Sequence, residues 1–182
     1  MSRHPLLSTL SLLIFLSLAL ASCYEHAPIQ TLKRPTATAR DSCKGLTVND
    51  GDTFTCDTNH NGRVDKPIER IRLLGIEATE MHYSRKNKSG KNQPYAQEAK
   101  DFLSSKVKGK TVWLAYDQEK SDQYGRTLAY VYETDSGQNS INEQLLAQGY
   151  ATLFFLGRNR QLEKPFIQTA LTARQKKVGL YQ

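Results

Sequence analysis

Asp50-Gly51 lies between two β-prone triplets, Leu46-Thr47-Val48 and Thr53-Phe54-Thr55. An Asp-Gly pair in that setting is a strong hairpin signal, because glycine accepts the positive φ that a tight turn requires. A third strand is expected over residues 69–76. Ile71 and Leu73 share one of its faces, and Arg70, Arg72 and Leu74 share the other. Residues 81–93 are polar and basic and read as a loop. Pro94 opens a helix over 94–107, with Ala99, Phe102, Leu103 and Val107 on one stripe. Residues 111–116 and 127–132 are strand-like. Ser140-Ile141-Asn142-Glu143 matches a capping box before Leu145-Leu146, and Gly149 closes that short helix. Residues 150–156 read as extended. A last helix is expected over 162–177, with Pro165 in its first turn. The order β-β-β-α-β-β-α-(β)-α argues for an α+β domain, with a small barrel as one solution.

The N-terminal segment is of another kind. Arg3 and His4 precede a charge-free, leucine-rich run from Leu6 to Ala21. That run is shorter than the ~20 residues a membrane-crossing helix needs, and it fits the apolar region of a signal peptide. It ends in Leu20-Ala21-Ser22-Cys23, which resembles a bacterial lipobox cleaved before an acylated cysteine. The expected organisation is a lipoprotein-type signal peptide over 1–22, a flexible Ala/Thr/Pro-rich tether over 23–41 and one domain over 42–182. The expected location is the bacterial cell envelope, extracytoplasmic and lipid-anchored through Cys23, with plain secretion as the alternative.

Of the 182 residues, 38% are hydrophobic and 24% charged, which excludes a mainly disordered or collagen-like chain. Twenty-five Lys and Arg oppose 18 Asp and Glu, a formal charge of +7. That excess favours polyanionic partners, nucleic acid or an anionic surface. With Cys23 acylated, Cys43 and Cys56 remain as an even pair in an oxidising compartment. With Asp50-Gly51 as a two-residue turn they share a face but lie off register, and a bulge is expected to bring them together as a disulfide.

Four charged clusters have no place in a core: Asp50 and Asp52 at the hairpin tip, Arg72 on the next strand, Glu77 and Glu80 after it, and the Asp122–Arg126 turn. Carboxylates at strand ends collect hard cations. Guanidiniums bind phosphate oxygens and stay protonated at any working pH. Together these are the parts of a metal-assisted phosphodiesterase, although each is by itself an ordinary turn or strand-end residue.

The blocks Val48-Asn49-Asp50-Gly51-Asp52-Thr53, Ile71-Arg72-Leu73-Leu74-Gly75-Ile76-Glu77-Ala78-Thr79-Glu80, Asp122-Gln123-Tyr124-Gly125-Arg126-Thr127 and Asn142-Glu143-Gln144-Leu145-Leu146 resemble, in order, the staphylococcal-nuclease family. The resemblance spans roughly residues 46–180. It implies an OB-fold, a five-stranded β-barrel with about three packed α-helices, and Ca2+-dependent, endonucleolytic hydrolysis of DNA and RNA to 3′-phosphate ends. By that likeness Asp52, Glu77 and the backbone carbonyl of Ala78 hold the catalytic Ca2+. Glu80 is the general base, and Arg72 and Arg126 bind the phosphate and stabilise its developing charge. Tyr124 lies near the nucleotide's phosphate, and Phe155 stands where a base-stacking tyrosine is usual. Glu77 replaces the family's Asp, and Thr79 its Pro. A monomer is expected. The alternative is a catalytically weakened OB-fold lipoprotein that only binds nucleic acid.

Two segments keep two readings each. Asp57, Asn59, Asn61 and Asp65 match positions 1, 3, 5 and 9 of an EF-hand loop, with Gly62 at 6. The segment is either an Asn-Gly turn or a second, structural Ca2+ site. The loop at 81–93 carries Arg85, Lys86 and Lys88. It is either a mobile solvated loop or a contact for the phosphate backbone.

Overall fold

The computed structural model describes residues 40–182. The expected signal peptide, Cys23 and the tether up to residue 39 lie outside the described residues. β1 (Asp41–Val48) and β2 (Thr53–Asp57) form the expected hairpin. Its turn is longer than two residues: Val48 faces Phe54, and the Asn49 amide donates to the Thr53 carbonyl at 2.9 Å. A β-bulge between Gly45 and Thr47 takes up the extra residue, so Gly45 faces Cys56. That is the register a two-residue turn alone would produce, and Cys43 stays diagonal to Cys56. Without the bulge Leu46 would face Cys56 and Cys43 would point to the other face, so the bulge returns the two cysteines to one face. The two Cα atoms lie 5.8 Å apart, and the structure joins the cysteines in a disulfide. Gly45 lets the backbone at Val107 pack closely on this strand, since a Cβ there would overlap the Val107 carbonyl.

The domain starts earlier than the composition suggests. Arg40 and Asp41 read as tether, yet Asp41 opens β1. The Arg40 guanidinium lies 3.6 Å over the Tyr132 ring and donates to the carbonyls of Thr134 (3.1 Å), Asp135 and Gly137 (2.9 Å).

Residues 69–76 form two short elements instead of one strand. β3 (Arg70–Leu73) pairs with β2, while β4 (Ile76–Ala78) leaves the barrel. Between them Gly75 adopts φ 78°, which glycine alone takes without strain. A Cβ there would also come within 2.7 Å of the Phe166 ring. The chain continues through α1 (Ala96–Val107), β5 (Thr111–Ala115), β6 (Thr127–Tyr132), α2 (Ile141–Ala147), β7 (Ala151–Leu153) and α3 (Glu163–Gln175), and ends in a 3-10 turn at Gly179–Tyr181. α1 begins two residues after Pro94, because Tyr95 takes φ 61° at the cap position. At α2 the Ser140 hydroxyl accepts the Glu143 amide at 3.1 Å, as a capping box requires.

Strands β1-β2-β3-β6-β5 close into a five-stranded barrel. All its pairs are antiparallel except β3 with β6. β4 and β7 make a separate two-stranded ribbon. With three helices packed on it, this is the α+β OB-fold barrel that the sequence resemblance implies. Phe54, Ile71, Leu73, Leu114 and Val131 fill the interior, and Leu103, Leu145 and Phe166 bring one helix each into the same core. Burying one such side chain is worth about 2 kcal/mol. Asn142 is fully buried among them. Its Nδ2 donates to the carbonyls of Leu74 (2.8 Å) and Ala129 (3.2 Å), and its Oδ1 accepts the Val131 amide at 2.9 Å. It satisfies the backbone groups exposed where β3 parts from β6. Among the described residues no helix is long and apolar enough to cross a membrane.

Candidate active site

Asp52 enters β2 directly opposite the end of β3, and the Leu73 amide donates to its carbonyl at 2.9 Å. The Asp52 carboxylate accepts the Thr53 hydroxyl (2.9 Å) on one oxygen and the Ala78 amide (2.9 Å) on the other. Hairpin and ribbon are thus fastened to each other through this one side chain. Burial pushes the Asp52 carboxyl above the usual carboxylate range. The Arg72 guanidinium opposes that shift, the neighbouring Asp50 adds to it, and the Ala78 amide works against it.

Arg72 is 3% exposed although it alternates with core residues. Its Nη1 donates to the carbonyls of Leu73 (2.8 Å) and Ile76 (2.9 Å), the two sides of the Gly75 turn. Its Nη2 lies 3.3 Å from Asp52 Oδ2 and pairs with Glu77 Oε2. The guanidinium therefore holds the turn that carries Glu77 to its place. Glu80 follows β4 by two residues, and its amide donates to the Gln93 side chain at 2.8 Å.

Lys86 closes the cluster. Its Nζ lies 2.6 Å from Glu77 Oε1 and 3.2 Å from Glu80 Oε1. Burial pulls the ammonium's pKa down, but hydrogen bonds and charge from Glu77 and Glu80 outweigh it, and the net direction is up. Asp52 and Glu77 are thus linked by Arg72, and Glu77 and Glu80 by Lys86. Among the described residues no three acidic, His or Cys side chains gather as a ready metal cage.

Loop 81–93 is tied to itself and to its surroundings. The buried Asn87 donates to the carbonyls of Glu80 (3.3 Å), Met81 (3.3 Å) and Lys91 (2.5 Å). The Tyr83 hydroxyl donates to the Asn49 carbonyl at 2.6 Å and accepts from Lys100 of α1 at 2.7 Å. Arg85 and Lys88 stay exposed on this loop while Lys86 folds over the carboxylates. From the sequence, Asn87 reads only as a polar loop residue and Asn142 only as a capping-box position. An uncharged side-chain amide among basic or apolar neighbours is the one signal each offered.

Arg126 directly precedes β6, whose Leu128 is the register partner of Arg72. Asp122 orients it. One Asp122 oxygen accepts the amides of Tyr124 (2.9 Å) and Arg126 (3.0 Å), and the other accepts Arg126 Nε at 2.7 Å. Arg126 Nη1 and Nη2 meet no acceptor among the described residues, whereas those of Arg72 are engaged. Tyr124 is 68% exposed, 5.7 Å from the Arg126 guanidinium. Tyr124, Arg126, Leu128 and Leu156 line a cleft of about 260 Å³. Phe155 is half-buried against the core with Arg160 over its ring at 5.4 Å, and Phe154 beside it is the more exposed of the two.

The EF-hand-like segment forms a turn whose oxygens face its own amides. Asp57 accepts from the Asn61 (3.1 Å) and Gly62 (2.9 Å) amides. Asp65 Oδ2 accepts the side-chain amides of Asn59 (2.8 Å) and Asn61 (3.0 Å). Glu69, buried and outside the four-residue pattern, accepts the amides of Thr58 (2.8 Å) and Asp65 (2.7 Å) and closes the turn.

Comparison with known proteins agrees with this geometry. Residues 70–182 match the model of a family described as staphylococcal nuclease homologue. The thermonuclease of Staphylococcus hyicus is 30% identical over 138 residues, 76% of this chain and 74% of that protein. That of Staphylococcus intermedius is 31% identical over 135 residues, 74% and 73% of the two chains. An uncharacterized endonuclease of Haemophilus influenzae is 30% identical over 142 residues, 78% of this chain and 67% of that one. A barrel of this topology, a site in this place and likeness over this length make one conclusion: the chain belongs to the staphylococcal nuclease homologue family.

Proposed function

We propose that this protein is a divalent-metal-dependent endonuclease that hydrolyses phosphodiester bonds of DNA and RNA with little sequence preference, with Ca2+ as its ion and 3′-phosphate ends as products. The observation that carries this reading is the convergence of Asp52, Arg72, Glu77 and Glu80 at one end of the barrel, linked by ion pairs through Arg72 and Lys86, with a second guanidinium, that of Arg126, held at Nε by Asp122 just before the adjoining strand.

The donor set suits a hard cation. Asp52, Glu77 and the Ala78 carbonyl offer oxygen alone. A dication would also relieve the cost that burial imposes on the Asp52 carboxylate. These three would hold it, and a bound ion would supply Lewis-acid polarisation of a phosphoryl oxygen. Glu80 would take a proton from the attacking water. Arg126 has its two Nη groups available for a bidentate grip on the phosphate, and Arg72 would stabilise the charge that develops there. Tyr124 and Phe155 would lie along the nucleotide, and Arg85, Lys86 and Lys88 would meet the backbone. The signal sequence and Cys23 support placing this activity outside the cytoplasm, on a lipid anchor.

The test uses the full chain in detergent with plasmid DNA and RNA. Cleavage with Ca2+ is expected, abolished by EGTA and reduced at least about a hundredfold by Glu80→Gln, whose binding of DNA persists. Binding without cleavage under Ca2+, Mg2+ or Mn2+ would overturn the enzyme reading.

A further inference from the structure

Lys86 occupies the position of a counter-ion. Its ammonium is shared by Glu77 and Glu80, at 2.6 and 3.2 Å, while its stem remains largely exposed. Glu77 also pairs with Arg72, so one carboxylate serves two cations. The placement is not a random reach across solvent. Asn87, the next residue, is buried and anchors the loop to the Glu80 and Met81 carbonyls, which sets where Lys86 leaves the backbone. Tyr83 fixes the same loop to the catalytic hairpin at Asn49. Arg85 and Lys88, on the same loop, make no ion pair among the described residues.

We propose that Lys86 is a built-in competitor for the divalent cation. It neutralises Glu77 and Glu80 in the resting protein and must swing out before an ion can be held there. The inference rests on the proposed metal site and deepens it. Asp52, Glu77 and Glu80 carry three negative charges against the two positive charges of Arg72 and Lys86. A dication added beside both cations would make the cluster positive, while one replacing Lys86 leaves it nearly balanced. The loop then has two arrangements: one with the ammonium on the carboxylates, and one with it free at the mouth of the site, where a polyanion arrives.

The test titrates the full-length protein in detergent with Ca2+ alone, by calorimetry. Lys86→Ala is expected to tighten Ca2+ binding about fivefold, the factor an ion pair of this exposure converts to. Lys88→Ala removes an equal charge from the same loop and is expected to change it less than twofold. A second readout is lysine acetylation followed by mass spectrometry. Saturating Ca2+ is expected to raise the labelling of Lys86 severalfold and to leave Lys88 unchanged. Lys86 labelling that ignores bound Ca2+ would overturn the inference and leave the metal site standing, as would equal Ca2+ affinities for the Lys86 and Lys88 variants. If neither the wild type nor Lys86→Ala takes up Ca2+, the calcium reading itself falls, and this inference with it.

Discussion

The Asp52 carboxylate and the Ala78 amide are 26 residues apart in sequence and 2.9 Å apart in space. The bond joins the hairpin that carries one acidic group to the ribbon that carries the next. Asp52→Asn keeps the shape, with the amide oxygen accepting from Ala78 and Nδ2 donating to the Thr53 hydroxyl oxygen, but loses the charge opposite Arg72. Two effects on stability oppose each other: a buried charge is relieved and an ion pair is lost. We expect a melting temperature within a few degrees of wild type and activity reduced at least about a hundredfold. Thermal melts and nuclease assays on the same preparation check both halves.

Asn142→Ala is expected to do the opposite, damaging the fold before the chemistry. It leaves the Leu74 carbonyl and the Val131 amide without their buried partner. One such loss costs about 1–3 kcal/mol, and two adjoining losses place the total near 3 kcal/mol. Urea denaturation measures it, with an unchanged m-value marking a loss of stability alone.

Reduction of Cys43–Cys56 releases a loop closed over a separation of 13 residues. The chain-entropy model assigns about 3 kcal/mol to a loop of that size. The urea midpoint should fall accordingly when the protein is reduced. Cleavage at low temperature should persist, since Asp52, Arg72 and Ala78 hold one another without the bridge.

Glu133 provides a pH test away from the site. A hydrogen bond from Lys106 lowers its pKa below the usual value, burial opposes, and Gln144 adds to the lowering. A carboxylate depressed by folding contributes stability above its unfolded pKa and loses it as pH falls through the folded one. Glu133→Gln should therefore melt slightly lower than wild type at pH 7 and match it once the pH has fallen through the folded-state pKa. The pair is well exposed, so the difference should stay under about 1 kcal/mol. A gap that widens in acid would contradict this assignment.

Much of the site was legible because its acidic and basic groups cluster at strand ends, where side chains leave the core. Position alone leaves such groups as ordinary turn or strand residues, and it is the family blocks that single out Asp52, Arg72, Glu77 and Glu80. The break at Gly75 was not legible, because Leu74-Gly75-Ile76 continues the apolar pattern, and nothing local says that φ turns positive there. Arg40 was hidden for a different reason. Its partners, the carbonyls of residues 134–137, are more than 90 positions away, and composition around Arg40 resembles a linker. Lys86 reads as one more cation in a basic loop. Its inward course depends on Asn87, whose burial is a tertiary fact. The disulfide pairing was legible, but the longer turn was not, and the bulge offsets it by returning the two cysteines to one face.

The bridge also decides how the domain bears a mechanical load. Tension applied at the start of the chain meets Arg40 first, then β1, and at the third residue of that strand it reaches Cys43. From there the covalent path crosses to Cys56 and continues along β2. Residues 44–55 lie on a slack detour, and the turn bearing Asp50 and Asp52 is inside it. A pull on the N-terminus would strain the rim of the barrel while leaving that turn unstretched. Load entering through Cys43 would bypass the turn that carries Asp50 and Asp52, so their spacing is insulated from it.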